Sequence, residues 1–278
     1  MAPRRPPPPT LAVIAFSHFC EVARWALDIA GVAYREVRVL PLFHGPLLLC
    51  LRRRGASRAA APAADLRRVS SPLSTPALLL PDGLLQESSA IVRFAAGASP
   101  AGAALLPGGE RGARVDALCK EFHDALGPAV RTVCYHYLLE DARSYARLGC
   151  RNVGAVQAFF WVLLWPLIAR GLRAALSINA ASAARAETTL RALFADASAR
   201  LADGRAYFVG DAFTAADLTF AALAAPLVGG ACNTGVWTPA PEDFPAPLAA
   251  LALELRATRA GAHIGACYKA HRGARRGA

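Results

Sequence analysis

Two side chains suited to sulfur chemistry lie in the turn Phe16–Cys20, between an apolar run and a helical pattern. Ser17 stands at the position of a helix N-cap, where free backbone N–H groups and the helix dipole favour an anion. Its hydroxyl could therefore stabilise a thiolate. Cys20 follows one turn later and could itself be a thiolate, with Arg24 on the same helix face lowering its pKa. A plain cap and a small core cysteine are the alternatives that these residues leave open.

Two further polar pairs stand where predicted strands begin and end. Pro76 opens an apolar strand pattern, and a cis bond from Thr75 would present the Thr75 backbone N–H and C=O to the adjacent groove. A trans proline that merely starts the strand is the equal alternative. Glu87 and Ser88 begin a helical segment, where a hydroxyl and a helix N-terminus suit a ligand carboxylate and Glu87 suits an ammonium group. An α-amino acid carries both charges, although a plain helix cap also explains the pair.

The elements expected to position these residues form an α/β unit. Apolar runs and apolar–polar alternation predict strands, and apolar residues at helical spacing predict helices. The predicted order is β-α-β, an irregular link, and β-β-α; the first unit requires parallel strands joined by a right-handed crossover. The segments are Leu11–Phe16, His18–Ala30, Val32–Leu40, Ala77–Leu80, Leu84–Gln86 and Ser88–Ala96, with an irregular stretch at Pro41–Ser71.

The rest of the chain shows helical patterns alone. After a Gly- and Pro-rich linker at Gly97–Gly109, the predicted helices are Arg111–Leu139, Val153–Leu176, Ala181–Leu201, Ala215–Val228 and Pro247–Ala260. Val156–Ile168 is almost wholly apolar, but it is shorter than the roughly 20 residues of a membrane span and contains Pro166. We therefore expect a buried, kinked helix there and no membrane span.

Charge and cysteine content argue against several function classes. The 278-residue chain has a formal net charge of +11, but the excess lies in residues 4–5, in the stretch 51–68 and in the tail from Lys269, away from the aromatic residues. This distribution argues against a nucleic-acid partner, which needs basic and stacking side chains on one face. The seven cysteines are scattered without a C-x-x-C pair, which favours a reducing compartment and argues against disulfides and a metal centre. The N-terminal residues lack the apolar core of a secretory signal, so we expect a cytoplasmic location and leave an organellar one open.

Three stretches of the sequence, in this order and spacing, carry a family resemblance. They are SHFCEVARWALDIAGVAYREV at Ser17–Val37, STPALLLPDGLLQESSAIVRF at Ser74–Phe94, and YFVGDAFTAADLTFAAL at Tyr207–Leu223. Together they make the chain resemble the soluble glutathione S-transferase superfamily. The resemblance implies a thioredoxin-like α/β N-terminal domain followed by an all-α helical-bundle C-terminal domain. The expected division is a Pro-rich arm at 1–10, the first domain at 11–97 with an Arg-rich irregular insertion at 44–71, a linker at 98–110, the second domain at 111–268 and a basic tail at 269–278.

The third stretch contains Thr214 and Asp217, which resemble the family's buried capping motif. A Ser or Thr followed three positions later by an acidic residue forms a capping box, in which each side chain satisfies a backbone N–H at the helix start. We assign this pair to folding rather than to catalysis.

The resemblance also implies roles at the site. Ser17 corresponds to the thiol-activating hydroxyl of the serine-type classes, and Cys20 to the second cysteine of dithiol glutaredoxins. Thr75 before Pro76 would hold the cysteinyl backbone of glutathione, and Glu87 and Ser88 would hold its γ-glutamyl end. The sequence departs from the family pattern at His18, where many members have proline, and at Thr75, where valine is usual. Candidate residues lining an electrophile site in the second domain are Phe122, His123, Tyr135 and Tyr137.

The expected activity is transfer of the glutathione thiolate to an electrophilic small molecule, with glutathione as co-substrate and no metal, as in detoxification. A thiol–disulfide oxidoreductase using Cys20 and a catalytically silent binding or assembly module are the two alternatives. Homodimerisation is usual in the family that the chain resembles.

Overall fold

A computed structural model of the chain describes residues 8–56, 73–229 and 236–273. Its N-terminal part is a four-stranded sheet in the order β2-β1-β3-β4, with β1 and β2 parallel and the β1–β3 and β3–β4 pairs antiparallel. The strands are β1 (Thr10–Ile14), β2 (Arg35–Val39), β3 (Ala77–Leu80) and β4 (Gly83–Gln86), and the helices among them are α1 (His18–Ile29), α2 (His44–Ala56) and α3 (Ser88–Ala98). The predicted thioredoxin-like order β-α-β, link, β-β-α is confirmed.

The central strand β1 is buried on both faces because helices cover the sheet on each side. Leu11 and Val13 belong to the large core that also contains α1 and α3. Ala12, which points to the opposite face, packs with Leu48 and Leu51 of α2. The alternation of side chains along a strand thus assigns alternate residues to two cores.

Helix α2 corrects one expectation. The stretch 44–71 was expected to be irregular, but His44–Ala56 forms a helix. The helix forms because its leucines lie on one face, where Leu48 and Leu51 are buried against the small residues Ala12 and Ala77 of the sheet. The part of the predicted insertion at 57–71 lies outside the described residues.

The rest of the described chain is helical. A short helix α4 (Pro100–Ala103) leads to α5 (Gly109–Glu121), one turn of π-helix at Phe122–Leu126, and α6 (Gly127–Leu138). The following helices are α7 (Ala142–Cys150), α8 (Ala155–Leu163), α9 (Trp165–Ala175), α10 (Ala180–Arg200), α11 (Ala215–Val228), a 3-10 turn at Pro241–Asp243, α12 (Ala246–Arg256) and α13 (Arg259–His271). Helix α11 lies at the centre of this bundle, with twelve of its fourteen residues buried. The predicted all-α character is confirmed, while α7 and α13 were not predicted as separate helices.

The apolar segment 156–168 was expected to be a buried, kinked helix; the kink is confirmed, but the predicted burial is wrong. The chain forms two helices, α8 and α9, bent by 79° at Leu164. Trp161 and Ile168 are buried, but most of the apolar side chains between them are exposed. Within the described ranges, no single helix is long and apolar enough to cross a membrane, although α8 and α9 pass that test when taken together.

The basic tail predicted from Lys269 also needs correction, because α13 continues to His271 and Arg272 is buried. The Arg272 guanidinium donates to Glu21 Oε1 at 2.7 Å and to Asp28 Oδ2 at 2.8 Å, both on α1. The Trp25 indole donates to the His271 carbonyl at 3.1 Å. The end of the described chain is therefore packed on the first helix, and its positive charge is neutralised there. Residues 274–278 lie outside the described part.

The capping box at the start of α11 is present. Asp217 accepts from the Thr214 backbone N–H at 3.0 Å and from the Thr214 hydroxyl at 2.9 Å. Its other oxygen accepts from the Phe208 N–H at 2.9 Å and lies 3.2 Å from His263 Nε2. Because Asp217 is fully buried, it joins three segments of the second domain.

Candidate functional site

The three polar segments singled out in the sequence meet at one end of the sheet. β1 runs toward Ser17, and the antiparallel register pairs Ala12 of β1 with Ala77, so that β3 begins at the same end. Ala77 pairs in turn with Gln86, the last residue of β4. The carboxyl ends of β1 and β4 and the start of β3 therefore lie together. Such an edge, with a helix starting at it, is where α/β folds present polar backbone groups to ligands.

Ser17 is the N-cap of α1, and its hydroxyl oxygen accepts from the Cys20 backbone N–H at 3.4 Å. The residue is only partly buried, and its backbone N–H donates to the Ile14 carbonyl at 3.0 Å. The hydroxyl proton is not needed for the cap, because a cap uses the oxygen as acceptor. Ser17 can therefore donate this proton to an anion that lies before the helix.

Cys20 lies just behind Ser17 and is fully buried. Burial raises the pKa of its thiol, while the Arg24 charge and hydrogen bonds from Ser17 and Thr75 act in the opposite direction without cancelling that effect. The Arg24 guanidinium is itself held by Glu36, with Nε 3.0 Å from Oε2, and by the Ala15 carbonyl. Arg24 thus lowers the pKa of Cys20 as the sequence indicated, but desolvation dominates over this charge, which favours the alternative of a small core cysteine.

Thr75 and Pro76 lie on the other side of Cys20. The bond between them is cis, which decides between the two alternatives that the sequence left open. The Thr75 side chain lies close enough to the Cys20 thiol to lower its pKa against the effect of burial, so the start of β3 lies next to the first turn of α1.

Glu87 is held in an unusual backbone conformation between β4 and α3. Its φ of 74° lies in the region that favours glycine, and its N–H donates to the Pro76 carbonyl at 3.2 Å. The Ser74 hydroxyl donates to Glu87 Oε1 at 3.0 Å. A non-glycine residue at such a φ costs free energy and persists where the surroundings hold it, often at functional sites.

Ser88 begins α3 directly after Glu87 and is buried. Its hydroxyl is one of the few buried polar groups in the described residues without a hydrogen-bond partner. Buried hydroxyls are normally paired, because an unpaired one loses its hydration without compensation. An unpaired Ser88 hydroxyl at a helix N-terminus has the donor and the local dipole that a ligand carboxylate requires.

Gln86 and Arg52 form a polar link that sequence reasoning missed. Arg52 Nη1 donates to Gln86 Oε1 at 2.9 Å, and Gln86 Nε2 donates to the Ser74 carbonyl at 3.1 Å. Arg52 of α2 thereby holds the end of β4, directly before Glu87, in place. The sequence shows Gln86 beside Glu87 and Arg52 in an Arg-rich stretch. Neither feature indicates that two residues 34 positions apart form a pair.

His18 connects the candidate site to the second domain. The sequence showed only that His18 stands where many members of the family have proline, and this did not indicate its role. Its Nε2 donates to the Gly127 carbonyl at 3.0 Å. Burial, together with the nearby Arg131 charge, lowers the pKa of His18 to about 3, so the imidazole is neutral. A Cβ on Gly127 would collide with the Phe19 ring, so the close approach of α1 and α6 needs glycine there.

The second domain contributes an aromatic wall beside Ser17. The ring of Phe16 lies 6.1 Å from that of Tyr145 and 6.4 Å from that of Trp161. Tyr145 and Trp161 stack on each other at 4.9 Å. This wall comes from α7 and α8, whose position could not be predicted from periodicity.

The four residues expected to line an electrophile site do not form one group. Phe122 is buried against Phe208 and Phe220, and the Tyr137 hydroxyl donates to Glu187 on α10. His123 packs on Phe19, and Tyr135 lies near Cys20 and Tyr145. The structure therefore leaves His123 and Tyr135 as the candidates next to the site.

No group of three or more metal-ligating side chains occurs among the described residues. Cys119 and His123 are four positions apart, but Cys119 lies on α5 and His123 in the π-helical turn, and burial raises the pKa of the Cys119 thiol to about 12. A protonated thiol is a poor metal ligand.

Known proteins share the sequence pattern of the first domain and the fold of the chain. A family model of the glutathione S-transferase N-terminal domain matches residues 11–102. No curated protein sequence matches the chain.

Three solved structures illustrate the likeness in fold. A glutathione S-transferase of Ceriporiopsis subvermispora in complex with glutathione has a TM-score of 0.57 at 16% identity, covering 95% of this chain and 98% of that chain. The theta class enzyme of Xanthomonas axonopodis pv. citri with glutathione bound has a TM-score of 0.51 at 21% identity, covering 92% and 95%. The β-etherase LigF of Sphingobium has a TM-score of 0.54 at 15% identity, covering 92% and 98%.

At these identities the solved structures establish a common fold, and the family match of the N-terminal domain adds a relationship in sequence. Residues 11–102 are thus a glutathione S-transferase N-terminal domain by sequence, and the chain as a whole is similar in fold to glutathione S-transferases.

Proposed function

We propose that the protein binds glutathione and transfers its thiolate to an electrophilic small molecule. The observation that carries the proposal is the buried, unpartnered hydroxyl of Ser88 at the N-terminus of α3, beside the carboxylate of Glu87. A protein leaves such a group unpaired where a ligand completes it. The solved relatives with glutathione bound support this ligand.

The γ-glutamyl end of glutathione carries a carboxylate and an ammonium group on one carbon. The Ser88 hydroxyl and the backbone N–H groups at the α3 N-terminus would donate hydrogen bonds to the carboxylate, and Glu87 would pair with the ammonium group. Thr75 would pair with the cysteinyl backbone through its own backbone N–H and C=O. The link from Ser74 to Glu87 keeps these two parts of the site in register.

The thiol of glutathione would then lie before α1. Ser17 donates its hydroxyl proton as a hydrogen bond to the sulfur while its oxygen accepts from Cys20 N–H, and both interactions favour the anion. The thiol proton passes to solvent, and the thiol pKa falls from about 8.5 towards neutrality. The sulfur attacks the electrophilic carbon, a carbon–sulfur bond forms, and the leaving group departs with the electron pair of its own bond.

The electrophile would bind between the first helix and the second domain. Phe16 lies next to Ser17 in sequence and is partly exposed, with Tyr145 and Trp161 buried behind it, so an apolar or aromatic electrophile fits this side better than a charged one. His123 is the nearest polar candidate, through its contact with Phe19.

Two measurements test the proposal. Calorimetric titration should show glutathione binding, and a generic aryl halide should be conjugated faster with the protein than without it. Absence of binding would leave a silent module as the better account, and binding without turnover would limit the protein to a carrier. Homodimerisation and a part in detoxification are proposals that follow from the family.

A further inference from the structure

A large exposed apolar surface of the protein lies on α8 and α9. Ten large hydrophobic side chains are exposed among the described residues, and seven of them belong to this helix pair. We call them the apolar cap: Val156, Phe159, Phe160, Val162, Leu163, Leu164 and Leu167. Val156, Phe159 and Leu167 are 73%, 63% and 67% exposed. Apolar exposure concentrated in one helix pair in this way marks an interaction surface.

The apolar cap faces outward because the opposite face of α8 is fixed to the fold. The Gln157 side chain accepts from the Leu40 N–H at 3.2 Å and donates to the Arg38 carbonyl at 3.3 Å. Trp161, four residues later, is buried and donates to the Tyr145 carbonyl at 3.2 Å. The helix therefore packs through its Gln157 and Trp161 face, and its other faces carry apolar side chains to the surface.

The stretch of chain that forms the apolar cap carries charge of one sign. Between Asp141 and Glu187 the chain has no acidic residue. It has six arginines in this interval: Arg143, Arg147, Arg151, Arg170, Arg173 and Arg185. Arg151 and Arg170 directly flank the uncharged segment 152–169.

A basic cavity adjoins the cap at the start of α8. It has a volume of about 490 Å³ and is lined by Arg35, Glu36, Arg38 and the segment 151–154. The Glu36 carboxylate is bound by Arg24 at 3.0 Å and by Arg38 at 2.6 Å, which offsets its charge. The cavity thus brings arginines from β2 and from the end of α7 next to the apolar cap.

This charge pattern distinguishes between the two occupants that an apolar patch could have. In a symmetric dimer the same surface meets itself, so the arginines of the two copies would lie against each other. The interface of a bilayer with anionic phospholipid instead accepts apolar side chains and attracts the flanking cations. Arginine side chains at such a boundary reach the phosphate level while their stems stay in apolar surroundings.

We propose that the apolar cap inserts into the interface of a membrane containing anionic phospholipid, with Arg35, Arg38 and Arg151 contacting lipid phosphates. The protein would lie on the surface rather than span the bilayer, because the two helices are held to the fold at a 79° bend. Such attachment is independent of the proposed conjugation activity, and it would bring the protein close to membrane-dissolved apolar compounds.

Vesicle sedimentation of the purified full chain tests the proposal. Vesicles of phosphatidylcholine with one-third phosphatidylserine should carry the protein into the pellet, and those of pure phosphatidylcholine should carry much less. Phe159→Asp combined with Leu163→Asp should lower the partition coefficient at least about tenfold, because two inserted side chains are lost. The matched control is Leu253→Asp, which changes a side chain that is also exposed, at 57%, on α12, and should bind like the wild type.

A second pair of variants tests the basic cavity. Arg35→Ser with Arg151→Ser should weaken binding to anionic vesicles by about five-fold per arginine, and high salt should reduce the difference. Arg114→Ser with Arg256→Ser removes two exposed charges elsewhere and should have a smaller effect.

Three outcomes would overturn the proposal. Wild-type protein that stays in the supernatant with anionic vesicles contradicts it, and so does undiminished binding of the Phe159→Asp, Leu163→Asp variant. The third is a wild-type dimer that ignores vesicles and becomes a monomer in that variant, which would make a second copy the occupant. The sites are exposed, so circular dichroism should show folded protein in every case.

Discussion

The hydroxyl of Ser17 accepts a hydrogen bond from the backbone N–H of Cys20 at 3.4 Å. This relationship joins the two candidates for the catalytic role in the proposed reaction and shows that they lie in different surroundings. Ser17 is at the helix start with its proton available, while Cys20 is enclosed behind it.

Ser17→Ala should lower kcat/KM for glutathione conjugation about tenfold near pH 6.5. The reason is that a thiol with its pKa returned to about 8.5 is ionised to only about one per cent at that pH. The loss should shrink as the pH rises, since the thiolate then forms without assistance. Steady-state kinetics across pH 6 to 9 measures both effects.

Loss of a helix cap has its own cost in stability, which a second cap variant measures. Ser99 caps α4 by accepting from the Gly102 N–H at 3.1 Å, away from the site. Ser99→Ala should destabilise the protein by about 1 kcal/mol and keep its activity. Unchanged activity in Ser17→Ala would contradict the role of Ser17.

Cys20→Ala should retain conjugation activity, because the Cys20 thiol is fully buried and its pKa is raised. Oxidised glutathione should therefore form no adduct at Cys20 in the native wild-type protein. The exposed Cys50 and Cys150 serve as internal controls in the same sample and should be modified first. Peptide mass spectrometry identifies the modified positions, and an early adduct at Cys20 would favour the thiol–disulfide alternative.

Ser17 and Cys20 show which features of the site a local sequence pattern can predict and which it cannot. The apolar strand, the cap at Ser17 and the glycine after α1 are local signals, and they predicted β1 and α1 within a few residues. The burial that makes Cys20 unreactive arises from the large core, which packs α1 against residues far away in the chain, and no local pattern contains it.

Two larger errors have the same origin. Hydrophobicity alone predicted a buried helix at 156–168, but burial depends on whether a partner covers each face, and here only the Gln157 and Trp161 face is covered. Positive charge alone predicted a basic tail, whereas Arg272 is buried because Glu21 and Asp28 on α1 neutralise it. Pairings across more than 200 positions cannot be deduced from composition.

Ser88→Ala should weaken glutathione binding without destabilising the apo protein. The buried Ser88 hydroxyl has no protein partner, so its removal breaks no hydrogen bond in the unliganded fold. In the complex it would lose a bond to a charged carboxylate, which corresponds to about a tenfold or greater rise in Kd. Calorimetric titration gives the Kd, and thermal unfolding of the apo protein gives the stability.

Ser198→Ala is the matched comparison, because the Ser198 hydroxyl accepts from the Ala260 N–H at 3.1 Å. It should lose about 1 kcal/mol of stability and keep its affinity, the reverse of Ser88→Ala. A Ser88→Ala variant with wild-type affinity would show that the γ-glutamyl end does not bind there.

The stability of the protein should fall as the pH is lowered from 6.5 to about 3, in part because of His18. The pKa of His18 is lowered to about 3 in the folded state, mainly by burial and next by Arg131, against 6.5 when unfolded. In this window the unfolded state binds the extra proton, so acid favours unfolding by up to about 1.4 kcal/mol per pH unit. Above pH 6.5 both states are neutral at His18, and the contribution is constant.

His18→Gln keeps a donor for the Gly127 carbonyl and removes the titration. Urea unfolding at several pH values should therefore show a shallower loss of stability in acid than the wild type. An equally steep loss would mean that other groups account for the acid sensitivity.

Asp217→Ala should be among the most destabilising single changes, at about 3 kcal/mol or more in urea unfolding. The buried carboxylate accepts from the N–H groups of Phe208 and Thr214 and from the Thr214 hydroxyl, and its removal leaves these donors unpaired in the core. Asp141 provides the comparison, since it caps α7 in an exposed position by accepting from the Arg143 N–H at 3.1 Å. Water replaces the lost bond there, so Asp141→Ala should cost about 1 kcal/mol or less. Equal costs for the two variants would show that burial adds nothing to the cap, and the assignment of Asp217 to the folding of the second domain would then be wrong.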